Sequence, residues 1–83
     1  MITVYGRPGC AISQMLRRRL DRRGIPYRYV DVERDPEARS RLSWLTGGRV
    51  RSPTVTVDGE VLVQPTMEEL EWALRRNRLT RSA

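Results

Sequence analysis

The residue best suited to chemistry is the chain's one cysteine, Cys10, held in the segment Tyr5-Gly6-Arg7-Pro8-Gly9-Cys10-Ala11-Ile12-Ser13. That segment reads as a strand, a Gly/Pro break and a helix start. The thiol therefore falls at a helix N-terminus, where unpaired backbone N–H groups and the helix dipole stabilise an anion. Arg7, three residues earlier, adds a second positive influence, and both should depress the thiol pKa. An isolated cysteine is often only a small buried hydrophobe. At a strand-to-helix turn, a reactive thiolate is the better reading. Ser13 is placed to donate a hydrogen bond to the thiolate, although helix-start preference alone also accounts for a serine there.

The use of such a thiolate follows from general thiol chemistry. For a thiol taken from ~8.5 to ~5.5, the thiolate fraction at pH 7 rises roughly thirtyfold. The accompanying fall in nucleophilicity takes back roughly twentyfold. The larger benefit comes when the cysteine leaves a mixed disulfide, because a more stable thiolate departs faster. Repeated formation and release of mixed disulfides is the chemistry expected of Cys10.

Composition removes the main competitors. Eighty-three residues suffice for one domain and not two. With 39% hydrophobic and 31% charged residues the chain fits a soluble globular domain and not a disordered one. One cysteine excludes an internal disulfide scaffold, and the absence of histidine excludes Cys-His or Ser-His pairs and leaves only carboxylates for zinc. All 16 basic residues are arginine, so Schiff-base lysine chemistry is excluded as well. The longest aliphatic run is Val61-Leu62-Val63, too short for a membrane span. No leader pattern precedes Ile2, so a cytoplasmic protein is expected. The net charge of +6 attracts acidic partners without choosing among them.

The elements that must position Cys10 can be read from turn and cap signals. A strand over Ile2, Val4 and Tyr5 leads into a helix from about Cys10 to Arg23, closed by Gly24 and Pro26, with Ile12, Leu16 and Leu20 as its buried stripe. Tyr27 to Val32 reads as a second strand, and strand-helix-strand implies a right-handed parallel crossover. Asp35-Pro36 opens a second helix with stripe Ala38, Leu42 and Leu45, ended by Gly47-Gly48. Thr54 to Val57 and Glu60 to Val63 form a hairpin through Asp58-Gly59. The last helix starts at Thr66, with Glu69 completing a capping box and Met67, Leu70, Ala73 and Leu74 facing inward. Arg75, Arg76 and Arg78 complement its dipole, and residues 76–83 read as a frayed basic tail. Arg17, Arg18 and Arg22 form a solvated face. Tyr5, Tyr27, Tyr29, Trp44 and Trp72 are expected in the partly buried core, with Tyr5, close to Cys10, also expected to contact substrate. The order β-α-β-α-β-β-α gives an α/β domain, a four-stranded mixed sheet with three helices, in the layout of a thioredoxin fold.

The Cys10 segment resembles the active-site segment of glutaredoxins, as a monothiol Cys-x-x-Ser variant. Gly24-Ile25-Pro26-Tyr27, Val30-Asp31-Val32-Glu33, Asp35-Pro36-Glu37-Ala38, Ser52-Pro53-Thr54-Val55, Asp58-Gly59 and Gln64-Pro65-Thr66 resemble the mycoredoxin-like branch. The likeness runs from Ile2 to about Leu74. It implies thiol–disulfide exchange with a low-molecular-weight thiol (mycothiol or glutathione) as co-substrate and with mixed-disulfide proteins as substrates. No tightly bound cofactor is implied. By position Cys10 is the nucleophile, Arg7 lies near the bound thiol's carboxylate, and Pro53 is the family's cis-proline. Ser52 supplies main chain that pairs with substrate, and Gln64, Pro65 and Thr66 contact the small thiol. The helix N-terminus at Thr66 is an anion site on general grounds as well. Ser13 stands where dithiol members keep a second cysteine, so no intramolecular disulfide can form. A monomer is expected, with no specific nucleic-acid or membrane partner. Two alternatives stand beside this reading: an iron–sulfur carrier of the monothiol glutaredoxin type, whose usual Gly-Phe is here Ala11-Ile12, and a basic binding module with an inert thiol.

Overall fold

The structure, a computed structural model, describes residues 1–77. Its elements are β1 (Ile2–Gly6), α1 (Ala11–Arg22), β2 (Arg28–Asp31), α2 (Pro36–Thr46), β3 (Thr54–Val57), β4 (Glu60–Val63) and α3 (Met67–Arg76). The strands form one sheet in the order β2-β1-β3-β4. β1 pairs parallel with β2 and antiparallel with β3, and β3 pairs antiparallel with β4. This is a thioredoxin-like α/β fold. The β1-α1-β2 crossover is what brings the start of α1 to the C-terminal end of β1, the central strand that ends at Gly6.

Alternation along β1 divides the core in two. Ile2 and Val4 point to one face and pack with Leu16 and Leu20 of α1, Val55 and Val57 of β3, and Leu70, Ala73 and Leu74 of α3. Tyr5 points to the other face, where it is buried with Val32 and Leu42 beneath α2. Tyr5 is thus a core residue, and its ring does not reach the surface beside Cys10.

The local signals are realised as turns and caps. Asp35 caps α2 by accepting from the Glu37 and Ala38 N–H groups, and Gly47 ends it in the left-handed region. Asp58 and Gly59, with φ of 46° and 90°, make the hairpin turn. Thr66 and Glu69 complete the capping box of α3. Glu71 of α3 receives Arg19 of α1 and Arg23, the residue that caps its end, in ion pairs, tying the two helices on the same face together.

Several expectations are corrected. In α1 the buried set is Ser13, Leu16 and Leu20, while Ile12 is 53% exposed. One residue of α-helix is about 100°, which turns Ile12 off the sheet-facing side when Ser13 occupies it. Trp44 is 87% exposed and Trp72 56%. Each lies two residues past a buried leucine (Leu42 and Leu70), and two residues rotate a side chain to the far side of a helix. Leu45 is exposed, and Tyr27 precedes β2 instead of joining it. Arg18 and Arg22 lie on the solvated face, whereas Arg17 stacks over Tyr29 at 3.9 Å from the ring centroid. Arg76 belongs to α3 and pairs with Glu60. Asn77 caps the end of α3, and residues 78–83 of the expected tail, Arg78 among them, lie outside the described residues.

Burial separates the consequences of two substitutions. Leu16→Ala should lower the unfolding free energy by about 2–5 kcal/mol, because a fully buried leucine leaves a cavity. Trp44→Ala should change it by less than about 0.5 kcal/mol. Urea denaturation of both variants measures the contrast.

Candidate active site

Cys10 is the residue that caps α1 without a side-chain capping bond, in extended conformation at φ −90° and ψ 107°. Its N–H donates to the Arg7 carbonyl at 3.1 Å, which closes the Gly/Pro turn between β1 and α1. The thiol is half-buried, and Sγ lies 3.8 Å from the main-chain oxygen of Ser52. The Ser52–Pro53 peptide bond is cis. Ser52 and Pro53 end the connection from α2 to β3, so the site joins the start of α1 to the start of β3.

Ser13 lies fully buried next to the nucleophile, with Oγ 3.0 Å from the Ser52 hydroxyl. A serine can sit there because residue 6 is glycine. A Cβ on Gly6 would fall 2.8 Å from Ser13 Oγ and 3.1 Å from the Tyr29 ring. The close approach of β1 and α1 thus needs a residue without a side chain.

The electrostatics of the sulfur follow from these neighbours. Burial pushes the Cys10 thiol pKa up. The Ser13 hydroxyl, the Ser13 N–H, the Ser52 hydroxyl and the Ile12 N–H together pull it down further, and the net result lies below the ordinary thiol value. Two of those donors are first-turn N–H groups of α1, the orphans that any helix start presents. Arg7 is not among the causes, which corrects the expectation that its charge acts on the sulfur.

Arg7 instead lines a groove of about 240 Å³ with Val32, Arg39, Val50, Arg51, Ser52 and Gln64. Among the described residues none of these three arginines has an ion-pair partner. Arg39 and Arg51 were missed in the sequence. Their signal was an acid-free stretch, residues 38–57, holding four arginines. A second groove of about 300 Å³ is apolar and runs along Ile12, Met15, Pro53, Gln64, Pro65, Thr66 and Met67. Gln64 is shared by both grooves, with φ at 48° and Nε2 donating to the Ser52 carbonyl at 3.5 Å.

The helix start at Thr66, expected to hold an anion, carries two acids of its own. The Thr66 N–H donates to the Glu69 carboxylate at 2.8 Å, and Glu68 adds a second negative charge in the same turn. The capping box occupies the Thr66 and Glu69 N–H groups, two of the donors at this helix start. Positive charge lies on the other side of Gln64, at the three arginines. Cys10, Ser13, Ser52, Pro53 and Gln64 are therefore gathered at one place, with Arg7 on one flank and Pro65 and Thr66 on the other. Tyr5 lies in the core.

A thioredoxin-type fold with a cysteine at the start of the first helix, beside a cis-proline, defines a thiol-redox protein. The sequence matches the glutaredoxin family over residues 2–62, and the chain belongs to that family. The thioredoxin-like protein BC3987 is similar at 32% identity, over 89% of this chain and 100% of that one, with a TM-score of 0.82. NrdH-redoxin from Escherichia coli shares the fold at 24% identity, over 99% and 97% of the two chains, with a TM-score of 0.72. A buckwheat glutaredoxin–glutathione complex does so at 17% identity, over 96% and 81%, also with a TM-score of 0.72. No curated protein matches the chain.

The contact at Gly6 can be tested directly. Gly6→Ala should destabilise the protein by about 1–3 kcal/mol, because Ser13 has no room to withdraw. A urea midpoint equal to that of the unsubstituted protein would contradict this packing.

Proposed function

We propose that this protein is a single-cysteine thiol–disulfide oxidoreductase of the glutaredoxin type, reducing mixed disulfides between proteins and a low-molecular-weight thiol. The observation that carries the reading is the half-buried Cys10 sulfur, favoured as thiolate by the hydroxyls and N–H groups of its neighbours, 3.8 Å from the Ser52 carbonyl. Cys10 thiolate attacks the small-thiol sulfur of the mixed disulfide. A new S–S bond forms to Cys10, and the protein sulfur leaves as thiolate and takes up a proton. A second small thiolate then attacks the small-thiol sulfur on Cys10. That step yields the small-thiol disulfide and returns Cys10 as thiolate. One incoming small thiol is oxidised for each protein thiol freed, and the other half of the small-thiol disulfide comes from the mixed disulfide itself, so the cycle needs no second cysteine. The protein works as a monomer in the cytoplasm, where a lone thiol stays reduced.

The three unpaired arginines favour an anionic small thiol. Glutathione carries two carboxylates, whereas mycothiol, the thiol implied by the mycoredoxin-like resemblance, is an uncharged sugar conjugate. A guanidinium binds carboxylate through parallel N–H donors, an interaction that mycothiol cannot use. The buckwheat glutaredoxin of the same fold is a glutathione complex, which makes glutathione the first thiol to assay.

The test is reduction of one peptide disulfide-linked to glutathione or to mycothiol, each with its own thiol as reductant. Cys10→Ser should abolish turnover with both, and turnover retained by that variant would overturn the reading. Arg39→Gln with Arg51→Gln should raise KM for the glutathione-linked peptide about tenfold, an effect that shrinks as salt is added. The mycothiol-linked peptide should respond little. Equal responses to both peptides would remove the arginine groove from the account and leave Cys10 in place.

A further inference from the structure

The Ser13–Ser52 contact carries an inference beyond the nucleophile itself. Ser13 belongs to α1 and Ser52 to the connection before β3, 39 residues apart in the chain, and their hydroxyl oxygens lie 3.0 Å from each other. Ser13 is fully buried, with Gly6 and Tyr29 packed against it. The sequence resemblance gives Ser52 a role through its main chain only, and that role leaves its side chain unassigned.

Each hydroxyl carries one proton and can accept two hydrogen bonds. When one serine donates to the other, the acceptor keeps its own proton for a third group. The group beside them is the Cys10 sulfur, 3.8 Å from the Ser52 carbonyl oxygen, and both hydroxyls favour its thiolate. Whichever way the pair is oriented, one proton remains for the sulfur. A serine alone has competing partners. By itself, Ser13 would turn its proton to a nearby main-chain carbonyl, and the half-buried Ser52 would turn to water. Each hydroxyl keeps the other aimed.

We propose that Ser13 and Ser52 act as one coupled hydroxyl pair that receives the Cys10 thiolate when it is expelled from a mixed disulfide. The proposal rests on the thiol-exchange reading above and names the group that assists its second half. In that half the small thiolate attacks the small-thiol sulfur, the S–S bond breaks, and its electron pair goes to Cys10 Sγ. No proton is transferred to sulfur, because the hydroxyl pair supplies a hydrogen bond. Ser52 is the new member, and its hydroxyl, not only its main chain, belongs to the machinery.

The test compares Ser52→Ala, Ser52→Thr, Ser13→Ala and the double alanine variant. Alkylation of reduced Cys10 by iodoacetamide against pH requires no small thiol, so it reads the pair even if the exchange reading fails. Ser52→Ala should raise the midpoint by about one pH unit, the scale of one hydrogen bond to a charged group. Ser52→Thr, which keeps the hydroxyl, should stay near the unsubstituted value. The double variant should move little further than either alanine variant alone, because a coupled pair is lost with its first member. Release of Cys10 from a preformed adduct with glutathione, followed by mass spectrometry with excess glutathione, should slow several-fold in Ser52→Ala. The alkylation plateau at high pH should not fall. An unmoved midpoint in Ser52→Ala, additive shifts in the double variant, or a threonine variant that behaves as alanine would each overturn the proposal. A raised midpoint with unchanged release would restrict the pair to the free thiol and overturn its part in expulsion. Should Ser52→Ala fail to fold, the midpoints of Ser13→Ala and Ser52→Thr decide: a shift in the first and none in the second supports the pair, and any other combination overturns it.

Discussion

A sulfur that must carry negative charge while partly withdrawn from water needs hydrogen-bond donors already in place, and most of the structure around Cys10 meets that need. Burial alone would keep the thiol protonated. The donors that reverse this come from two places, the first turn of α1 and the connection between α2 and β3. A helix start provides N–H groups to any residue that caps it. The hydroxyls add to this only because the fold brings Ser52 across to Ser13.

The sheet order explains how that crossing is made. β1 is central, with β2 on one side and β3 on the other. The end of β1 feeds α1 through the Arg7–Cys10 turn, while the antiparallel β3 begins at the same edge, where Tyr5 pairs with Thr54. The nucleophile turn and the Ser52–Pro53 segment are therefore neighbours by strand register. Gly6, the last residue of β1, then lets Ser13 approach the strand closely enough to reach Ser52. The resulting site is asymmetric, with unpaired arginines on one flank and an apolar strip on the other. A small anionic thiol and a protein surface could meet Cys10 from different sides.

The features legible in the sequence were those written in a few consecutive residues. The Cys10 turn, the Asp35-Pro36 start, the Asp58-Gly59 hairpin and the Thr66–Glu69 box each declare themselves within four residues, and together they fix the order of elements. The placement of side chains in three dimensions was harder to read. Ile12 is apolar and Ser13 polar, so periodicity put the isoleucine inside, whereas Gly6 opens a space sized for the serine. Trp44 and Trp72 are large and apolar, yet they share their helices with buried leucines on the opposite side. Thr66 was read both as the start of a capping box and as an anion site, because the two signals are the same residues. The structure shows the capping box formed. Arg39 and Arg51 lie on α2 and in the loop after it, and their convergence with Arg7 depends on tertiary contacts.

The most direct test of the central claim is the rate of Cys10 alkylation by iodoacetamide as a function of pH, on fully reduced, unsubstituted protein. Thiolate is the reacting form, so the rate rises with pH through the folded-state pKa and then levels off. The account predicts a fast plateau with its midpoint below the ordinary thiol value of about 8.5. A midpoint at or above that value, or no labelling until the protein unfolds, would contradict it and return Cys10 to the status of a packed side chain.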